Sequence, residues 1–324
     1  MRALLLGGTR FLGKSLARRL LALGAEVTVV NRGVTGKPLD GVETFIADRT
    51  EPGSLRPLAE RRFDVVVDLS AYFADWTRDA VETLAARTQH YVFISSGAVY
   101  RPSPELPWPE TLPFGPIPIW GRYGLEKVAS EELLWAAHAD GRCRVTVFRF
   151  PFILGPGNFA DRESFVFSRL EARRPILLPG GGSAINQFVY VDDAADALAA
   201  AAQRPDIASG QAYNCTHRTG ITNRGWVELC ASVAGLDANL VEVDEQALGI
   251  QSETVDLTNI VFPYPNEHYA LDGTKLERDL GVGCLTGNLR MLEEFAAWWS
   301  TVEDRAPRRY EHESQALERL GFSG

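Results

Sequence analysis

Short runs of consecutive apolar residues alternate, through the first half of the chain, with stretches in which apolar positions return every third or fourth residue. The runs "RALLLG", "EVTVVN", "VETFIA", "DVVVDLS", "HYVFISS" and "RVTVFRF" have the length and β-branched content of strands buried on both faces. Between the first two, "FLGKSLARRLLALG" sets Phe11, Leu12, Leu16, Leu20 and Leu23 on one helix face and stops at Gly24. "WTRDAVETLAAR" and "GLEKVASEELLWAAHA" carry the same period. Strand and helix in alternation predict an α/β fold, a doubly wound parallel sheet covered by helices. After Pro151 the alternation loosens, and "FPFILGPGN", "LLPGGGS" and "FPYPNEHYALDG" read as loops. The strand-like "NQFVYV" and the helix "DDAADALAAAAQ" then read as a return to the first unit. "RMLEEFAAWWSTV" reads as an amphipathic C-terminal helix, with a polar, peripheral tail after Ala306. The expected division is residues 1–150 plus a returning segment at about 185–217, with 151–184 and 218–324 forming a smaller, discontinuous second portion.

Composition narrows the functional classes. A chain of 324 residues with 45% apolar and 23% charged residues is an ordinary globular sequence, long enough for a sizeable core. Its net charge of -9 argues against a protein that grips nucleic acid by neutralising phosphates over a broad surface. Cys143, Cys215, Cys230 and Cys284 are widely spaced and form neither a C-x-x-C pair nor a zinc set with the histidines, so no metal site is expected. They read as reduced thiols of a cytoplasmic protein. The apolar start "ALLLGG" is too short for a signal peptide or a membrane span.

The stretch "LLLGGTRFLGKSLARRLL" has two readings. Gly8 to Ser15 spells G-x-x-x-x-G-K-S, a P-loop, with Lys14 for the β/γ-phosphates, Ser15 for magnesium and Asp68 as a later acid. Alternatively Gly7 and Gly13 belong to a dinucleotide-binding turn whose middle glycine has become Arg10. Both use a helix N-terminus to attract phosphate oxygens. The second is preferred because Phe11 and Leu12 then open the helix and face the sheet, and because the second strand ends at Asn31, Arg32 and Gly33, where a dinucleotide fold meets the adenosine ribose.

A second constellation decides the matter. "YVFISSGAVY" ends a strand at Ser95 and Ser96, and "RYGLEK" separates Tyr123 from Lys127 by one helical turn. An ammonium beside a phenol favours the phenolate, and a serine hydroxyl can bond the same substrate oxygen, which is equipment for hydride transfer to or from a nicotinamide. In the order "GGTRFLG", "ISSGAVY", "YGLEK", "FRFPFILGPGN", "FVYVDDAADAL" and "LDGTKLERDLGV", the chain resembles the extended and atypical short-chain dehydrogenases/reductases, the superfamily of nucleotide-sugar epimerases and dehydratases. That resemblance implies a Rossmann sheet at 1–150 with a substrate-binding remainder, NAD or NADP as cofactor, and a small carbohydrate substrate. It places Gly7, Gly8, Thr9, Arg10, Phe11, Leu12 and Gly13 around the pyrophosphate, Asn31, Arg32 and Asp48 at the adenosine end, Leu69, Ser70 and Ala71 along the cofactor, and Phe150, Pro151 and Phe152 on the nicotinamide side. Ser96, Tyr123 and Lys127 take the catalytic positions, Lys127 lowering the Tyr123 pKa and holding a ribose hydroxyl. It also implies a homodimer built on the Tyr123 helix and its predecessor.

Departures from the pattern refine the expectation. Arg10 replaces the middle glycine and Asn31 the usual acid, so Arg10 and Arg32 can clamp a 2'-phosphate, favouring NADP over NAD; the alternative leaves Arg10 in solvent and Arg32 paired to Glu43 or Asp48. Gly97 and Ala98 stand where dehydratases of the family carry an acidic pair, which disfavours dehydration and leaves an epimerase or ketoreductase. The "GGTRF" loop also resembles chloroplast stem-loop-binding members, so a cofactor-bound RNA-binding protein is the alternative, one the acidic charge disfavours. "PELPWPETLPFGPIPIWGRY" and "FPYPNEHY" are candidate lids, with Trp120 and Tyr264 to stack on a ring. Asn186 and Gln187 are candidate ligand contacts, Asp192 and Asp193 either organise the substrate loop or cap a helix, Arg149 is structural, and His217 and His268 are bystanders.

Overall fold

The computed structural model describes residues 1–34, 39–115, 120–250 and 260–322. The six apolar runs become β1 (Arg2–Leu6), β2 (Glu26–Asn31), β3 (Val42–Ile46), β4 (Phe63–Asp68), β5 (Thr88–Ser96) and β6 (Arg144–Phe150). Later strands are short: β7 (Phe152–Leu154), β8 (Ile176–Pro179), β9 (Ile185–Asn186), β10 (Phe188–Tyr190), β11 (Gln211–Asn214), β12 (Ile221–Thr222) and β13 (Leu240–Val243). The helices are α1 (Phe11–Ala22), α2 (Ala74–Leu84), α3 (Gly121–Ala139), α4 (Glu163–Glu171), α5 (Val191–Gln203), α6 (Pro205–Ala208), α7 (Asn223–Ala234), α8 (Thr274–Leu280), α9 (Asn288–Trp299) and α10 (Glu311–Arg319).

β11 closes a seven-stranded parallel sheet in the order β11-β6-β5-β4-β1-β2-β3. The chain starts in mid-sheet, winds outward to β3, then crosses back to β4, so a crevice opens where the winding reverses, at the carboxyl ends of β1 and β4. Strand residues divide by parity between the two faces. Ala3, Leu5, Val27, Val29, Val65 and Val67 meet Leu12, Leu16 and Leu20 of α1 and the alanines of α5, whereas Leu4, Leu6, Val66, Tyr91 and Phe93 face Ala80, Val81 and Leu134 of α2 and α3. The small side chains Ala194, Ala197 and Ala201 let α5 lie close to α1. Polar bonds fix that pair: Ser15 donates to Asp192, and Arg19 Nε to Asp196 Oδ1 at 2.5 Å. A separate aromatic core, with Phe152, Phe188, Trp226, Tyr264, Tyr269 and Phe295, fills the remainder.

Several expectations are corrected. Helix α1 stops at Ala22, so Leu23 is turned out and 47% exposed, because Gly24 leaves the helix at a φ of 74°. The segments read as loops after Pro151 contain β7 and β8, each too short to show an alternating pattern. "NQFVYV" does not enter the main sheet; β10 pairs with β7 as a two-stranded ribbon, and the return is made by α5 and β11. The tail is not peripheral, since α10 docks through Tyr310, Glu313, Ala316 and Leu317, all buried. All four cysteines are buried free thiols, with the Cys215 and Cys284 sulfurs 3.4 Å apart. Asn214 is fully buried, its amide donating to Trp108 O at 2.9 Å.

Candidate active site

One cavity of about 640 Å³ runs along the crevice, and every cofactor and catalytic candidate named from the sequence lines it: the loop Gly7–Gly13, Asn31 and Arg32 after β2, Asp48, the turn Leu69–Ala71 after β4, Ser96, Tyr123, Lys127 and Phe150–Phe152 after β6. The physics of the loop end suits a dinucleotide. Helix α1 begins at Phe11, no side chain caps it, and its first turn holds no acid, so its N–H groups and dipole are open to an anion. A Cβ on Gly13 would stand 2.5 Å from Gly8 Cα, so only glycine lets helix and loop close up. Asn31 accepts from Gly33 N at 2.6 Å, while its buried Nδ2 has no partner among the described residues, a donor left for a ligand.

The P-loop alternative fails on its own residues. Ser15 is buried against Asp192, away from the cavity. Asp68, the required acid, is held by Arg49 in a two-pronged ion pair, with Arg49 Nη2 3.0 Å from Oδ2, and accepts from Tyr91 Oη at 2.7 Å. Burial works to raise the Asp68 pKa, but Arg49 and these hydrogen bonds win, and its carboxyl stays below the ordinary range. Arg49 also lines the cavity and reaches Ser70 Oγ at 3.1 Å and Trp76 O at 3.1 Å, bracing the turns after β3 and β4.

At the other end, β5 and α3 deliver the catalytic candidates. Gly124 brings them together: a Cβ there would lie 2.9 Å from Ala98 O. Of the two serines, Ser95 donates to the buried Glu131 at 2.6 Å, and Glu131 in turn pairs with Arg149, Nη2 to Oε2 at 2.6 Å, so both are structural. Ser96 is left on the cavity wall with Tyr123, its Oγ accepting from Ala98 N at 3.2 Å. Lys127 Nζ lies 5.8 Å from the Tyr123 ring centre but donates to Ala71 O and Ile94 O, each at 2.8 Å. Burial lowers its pKa to about 8. The expected effect of Lys127 on Tyr123 is therefore corrected. Burial and then Tyr72 push the Tyr123 pKa well up, and the groups that oppose them are Ser96 and Arg162.

Arg162 escaped the sequence reading. It lies on the cavity wall, 9% exposed, with its guanidinium 4.7 Å from the Phe152 ring centre and a hydrogen bond to Pro263 O. Burial lowers its pKa. Phe159, from the turn before it, sits under the Arg10 guanidinium at 4.4 Å and edge-on to Phe11 at 6.3 Å, bridging the cavity mouth. Arg10 is exposed, as the alternative had it, but rests on the Phe159 ring, and Arg32 acts on Asp48 through its charge. The other candidates lie elsewhere. Trp120 and Tyr264 are buried in the aromatic core, Asn186 bonds Asn223 Oδ1 at 2.9 Å, Gln187 accepts from Leu271 N at 2.6 Å, and Asp193 accepts from Thr286 N at 2.8 Å. The described parts of the two lid segments pack on each other, the Trp108 and Tyr269 ring centres lying 5.6 Å apart; residues 116–119 of the first segment lie outside the described residues.

Behind this wall Glu163 is fully buried, accepting from Gly155 N at 2.6 Å and Asn158 Nδ2 at 2.7 Å. Burial lifts its pKa to about 7 despite those bonds. A carboxyl whose pKa is raised on folding stabilises the fold fully below its ordinary value near 4.5 and loses that contribution as pH rises through about 7. The loss is on the order of 3 kcal/mol. Glu163→Gln should flatten the pH dependence of stability between pH 5 and 8, read by denaturant unfolding of both proteins; parallel pH profiles would place the slope in another group.

Sheet order, crevice and loop define a dinucleotide-binding protein of the extended short-chain dehydrogenase/reductase class. A sequence model of the NAD dependent epimerase/dehydratase family matches residues 3–216, and the chain belongs to that family. Chloroplast stem-loop binding protein of 41 kDa b from Arabidopsis thaliana is 28% identical over 294 residues, 86% of this chain and 74% of that one. 2'-Dehydrokanamycin reductase from Streptomyces kanamyceticus is 30% identical over 207 residues, 61% of this chain and 57% of that one. The UDP-glucose 4-epimerase of Thermus thermophilus, solved with NAD, superposes with a TM-score of 0.76 at 22% identity, over 93% of this chain and 100% of that one, a likeness of fold. Family membership supports an NAD-dependent activity of the short-chain dehydrogenase kind. Among the described residues no helix is long and apolar enough to cross a membrane, and no cluster of metal-ligating side chains is present.

Proposed function

We propose that this chain is an NAD(P)-dependent epimerase or ketoreductase acting at an alcohol or keto carbon of a nucleotide sugar or similar carbohydrate. The observation that carries the reading is the convergence of Ser96, Tyr123 and Phe150–Phe152 at one end of the cavity whose other end is the glycine loop. The nicotinamide, when bound, supplies or accepts the hydride. Tyr123 gives the proton to the carbonyl oxygen or takes it from the alcohol, Ser96 orients that oxygen, and Lys127 holds the cofactor side of the site. Gly97 and Ala98 offer no acid beside Ser96, which counts against elimination of water. The names of the relatives, a reductase of a dehydro-aminoglycoside and a UDP-glucose epimerase, agree with chemistry on a sugar carbon. The buried free thiols fit a reducing cytoplasm. Incubation with UDP- and dTDP-sugars and their 4-keto forms, following absorbance at 340 nm and sugar configuration by NMR, tests it. Epimerisation without net absorbance change defines an epimerase, stoichiometric NAD(P)H loss a reductase, and inertness toward the whole panel rejects the reading.

NADP is the favoured cofactor, because Arg32 is exposed beside Asn31 at the adenosine end and no acid stands at the end of β2 to repel a phosphate. Arg32→Ala should weaken NADPH binding about tenfold or more and leave NADH nearly unchanged. Calorimetric titration with both cofactors decides it, and tighter NADH binding by the unaltered protein would remove the clamp. The stem-loop-binding relative favours a second reading, cofactor-bound RNA recognition. A gel shift with a stem-loop RNA at two salt concentrations separates it from the first.

A further inference from the structure

The rim of the cavity is crossed at one point by side chains from its two sides. Arg10 and Phe159 both line the cavity and both are exposed, so they stand where it opens to solvent. The Arg10 guanidinium lies 4.4 Å from the Phe159 ring centre, and Phe11 meets the same ring edge-on at 6.3 Å. Arg10 and Phe11 belong to the glycine loop, whereas Phe159 comes from the turn between β7 and α4. That turn is held from below. Glu163 accepts from Gly155 N at 2.6 Å and from Asn158 Nδ2 at 2.7 Å, and Asn158 Oδ1 accepts from Ala160 N at 3.1 Å, so bonds on both sides of Phe159 fix its backbone.

We propose that Phe159 is a cofactor-retaining residue: its ring holds Arg10 over the diphosphate of a bound dinucleotide, and the bridge they form slows the cofactor's release. The inference rests on the dinucleotide site of the proposed function. Arg10 immediately precedes the uncapped N-terminus of α1, the end that attracts a diphosphate. A guanidinium held over a ring by cation–π attraction spends no N–H donor on it, so its donors remain for phosphate oxygens. An exposed arginine without such support gives up side-chain freedom when it reaches an anion. On Phe159 that ordering is made before the ligand arrives. The bridge also ties the glycine loop to the second portion of the chain, and a dinucleotide bound beneath it leaves only after the contact opens, which places the effect on the off-rate. With Arg10 engaged here, a 2'-phosphate falls to Arg32. Release slower than turnover keeps one dinucleotide through both half-reactions, as an epimerase requires.

Stopped-flow displacement of NADH and of NADPH from the loaded protein, followed by nicotinamide fluorescence, measures release without any substrate. Phe159→Ala is expected to raise the release rate of both cofactors about five- to tenfold and to change the association rate less than about twofold. Arg10→Met keeps a long side chain without the charge and does the same, and the double variant is no faster than either single one. Phe159→Tyr restores slow release and Phe159→Leu does not, because the contact needs a ring. Phe159 is half exposed, so these substitutions spare the core, and melting temperatures check that each variant is folded. If the ring only fills space, Phe159→Leu releases cofactor like the unaltered protein, and that result overturns the inference. Effects that multiply in the double variant overturn it too, because the two residues then act apart. Acceleration confined to NADPH does so by moving Arg10 to the 2'-phosphate. Release unchanged in Phe159→Ala, with both cofactors still bound, counts against the inference alone, whereas a protein that binds neither cofactor overturns the proposed function along with it.

Discussion

Tyr123→Phe should cut turnover by roughly 10²–10⁴ while leaving cofactor affinity within about twofold. The substitution keeps the ring and its place on α3 and removes a single O–H. That hydroxyl sits in a particular balance: burial and Tyr72 hold its proton on, and Ser96 and Arg162 oppose them. The resting phenol is therefore an acid, suited to giving a proton to a carbonyl oxygen as hydride arrives, and less suited to starting as a base. Lys127 cannot compensate for its loss, because its ammonium is committed to Ala71 O and Ile94 O. Single-turnover kinetics beside calorimetric cofactor titration separate the effects. A variant keeping a large fraction of activity would mean that another group moves the proton. Equal loss of cofactor binding would instead assign Tyr123 to the binding of the dinucleotide.

The central sheet was legible because strands buried on both faces leave uninterrupted apolar runs, and α1 because its face and its glycine stop coincide. The glycine loop and Ser96, Tyr123 and Lys127 line one cavity, and their roles there belong to the proposed function. What the residues hid depends on contacts across long stretches of chain. Arg162 carries no local pattern, and it reaches the site because it packs on Phe152 and donates to Pro263 O, 101 residues along the chain. Asp68 looked like a magnesium ligand until Arg49, 19 residues away, took both of its oxygens. The relation between Tyr123 and Lys127 was right in spacing and wrong in consequence, since helix geometry fixes where an ammonium starts and carbonyls decide where it ends. Strands such as β7 and β10 are too short to display a period, and their pairing comes from the aromatic core around Phe152 and Phe188.

The tail after Ala306 shows the same limit in energetic form, and Glu313→Ala should cost about 3–5 kcal/mol of stability. Its polar sequence suggested a peripheral segment, yet Glu313 is 1% exposed and receives Arg169 Nε at 2.6 Å and Nη2 at 2.7 Å. The guanidinium is 0% exposed, stacks on Phe165 at 3.4 Å and spends its other donors on Phe165 O and Arg308 O, each at 3.0 Å. Removing the carboxylate strands a desolvated cation in the core, which is far worse than removing both charges. Arg169→Met combined with Glu313→Leu should therefore recover much of the loss, although Arg308 O is then left without its donor. Denaturant unfolding of the single and double variants measures this, and a single-variant loss under about 1 kcal/mol would show that α10 is held by its apolar face alone. The contact also touches the site: Tyr310, which leads into α10, donates to Asp161 Oδ2 at 2.7 Å, one residue from the cavity-lining Arg162. Detaching α10 should therefore loosen the wall against which Tyr123 is balanced, so Glu313→Ala should lower kcat even at temperatures where the sheet remains folded.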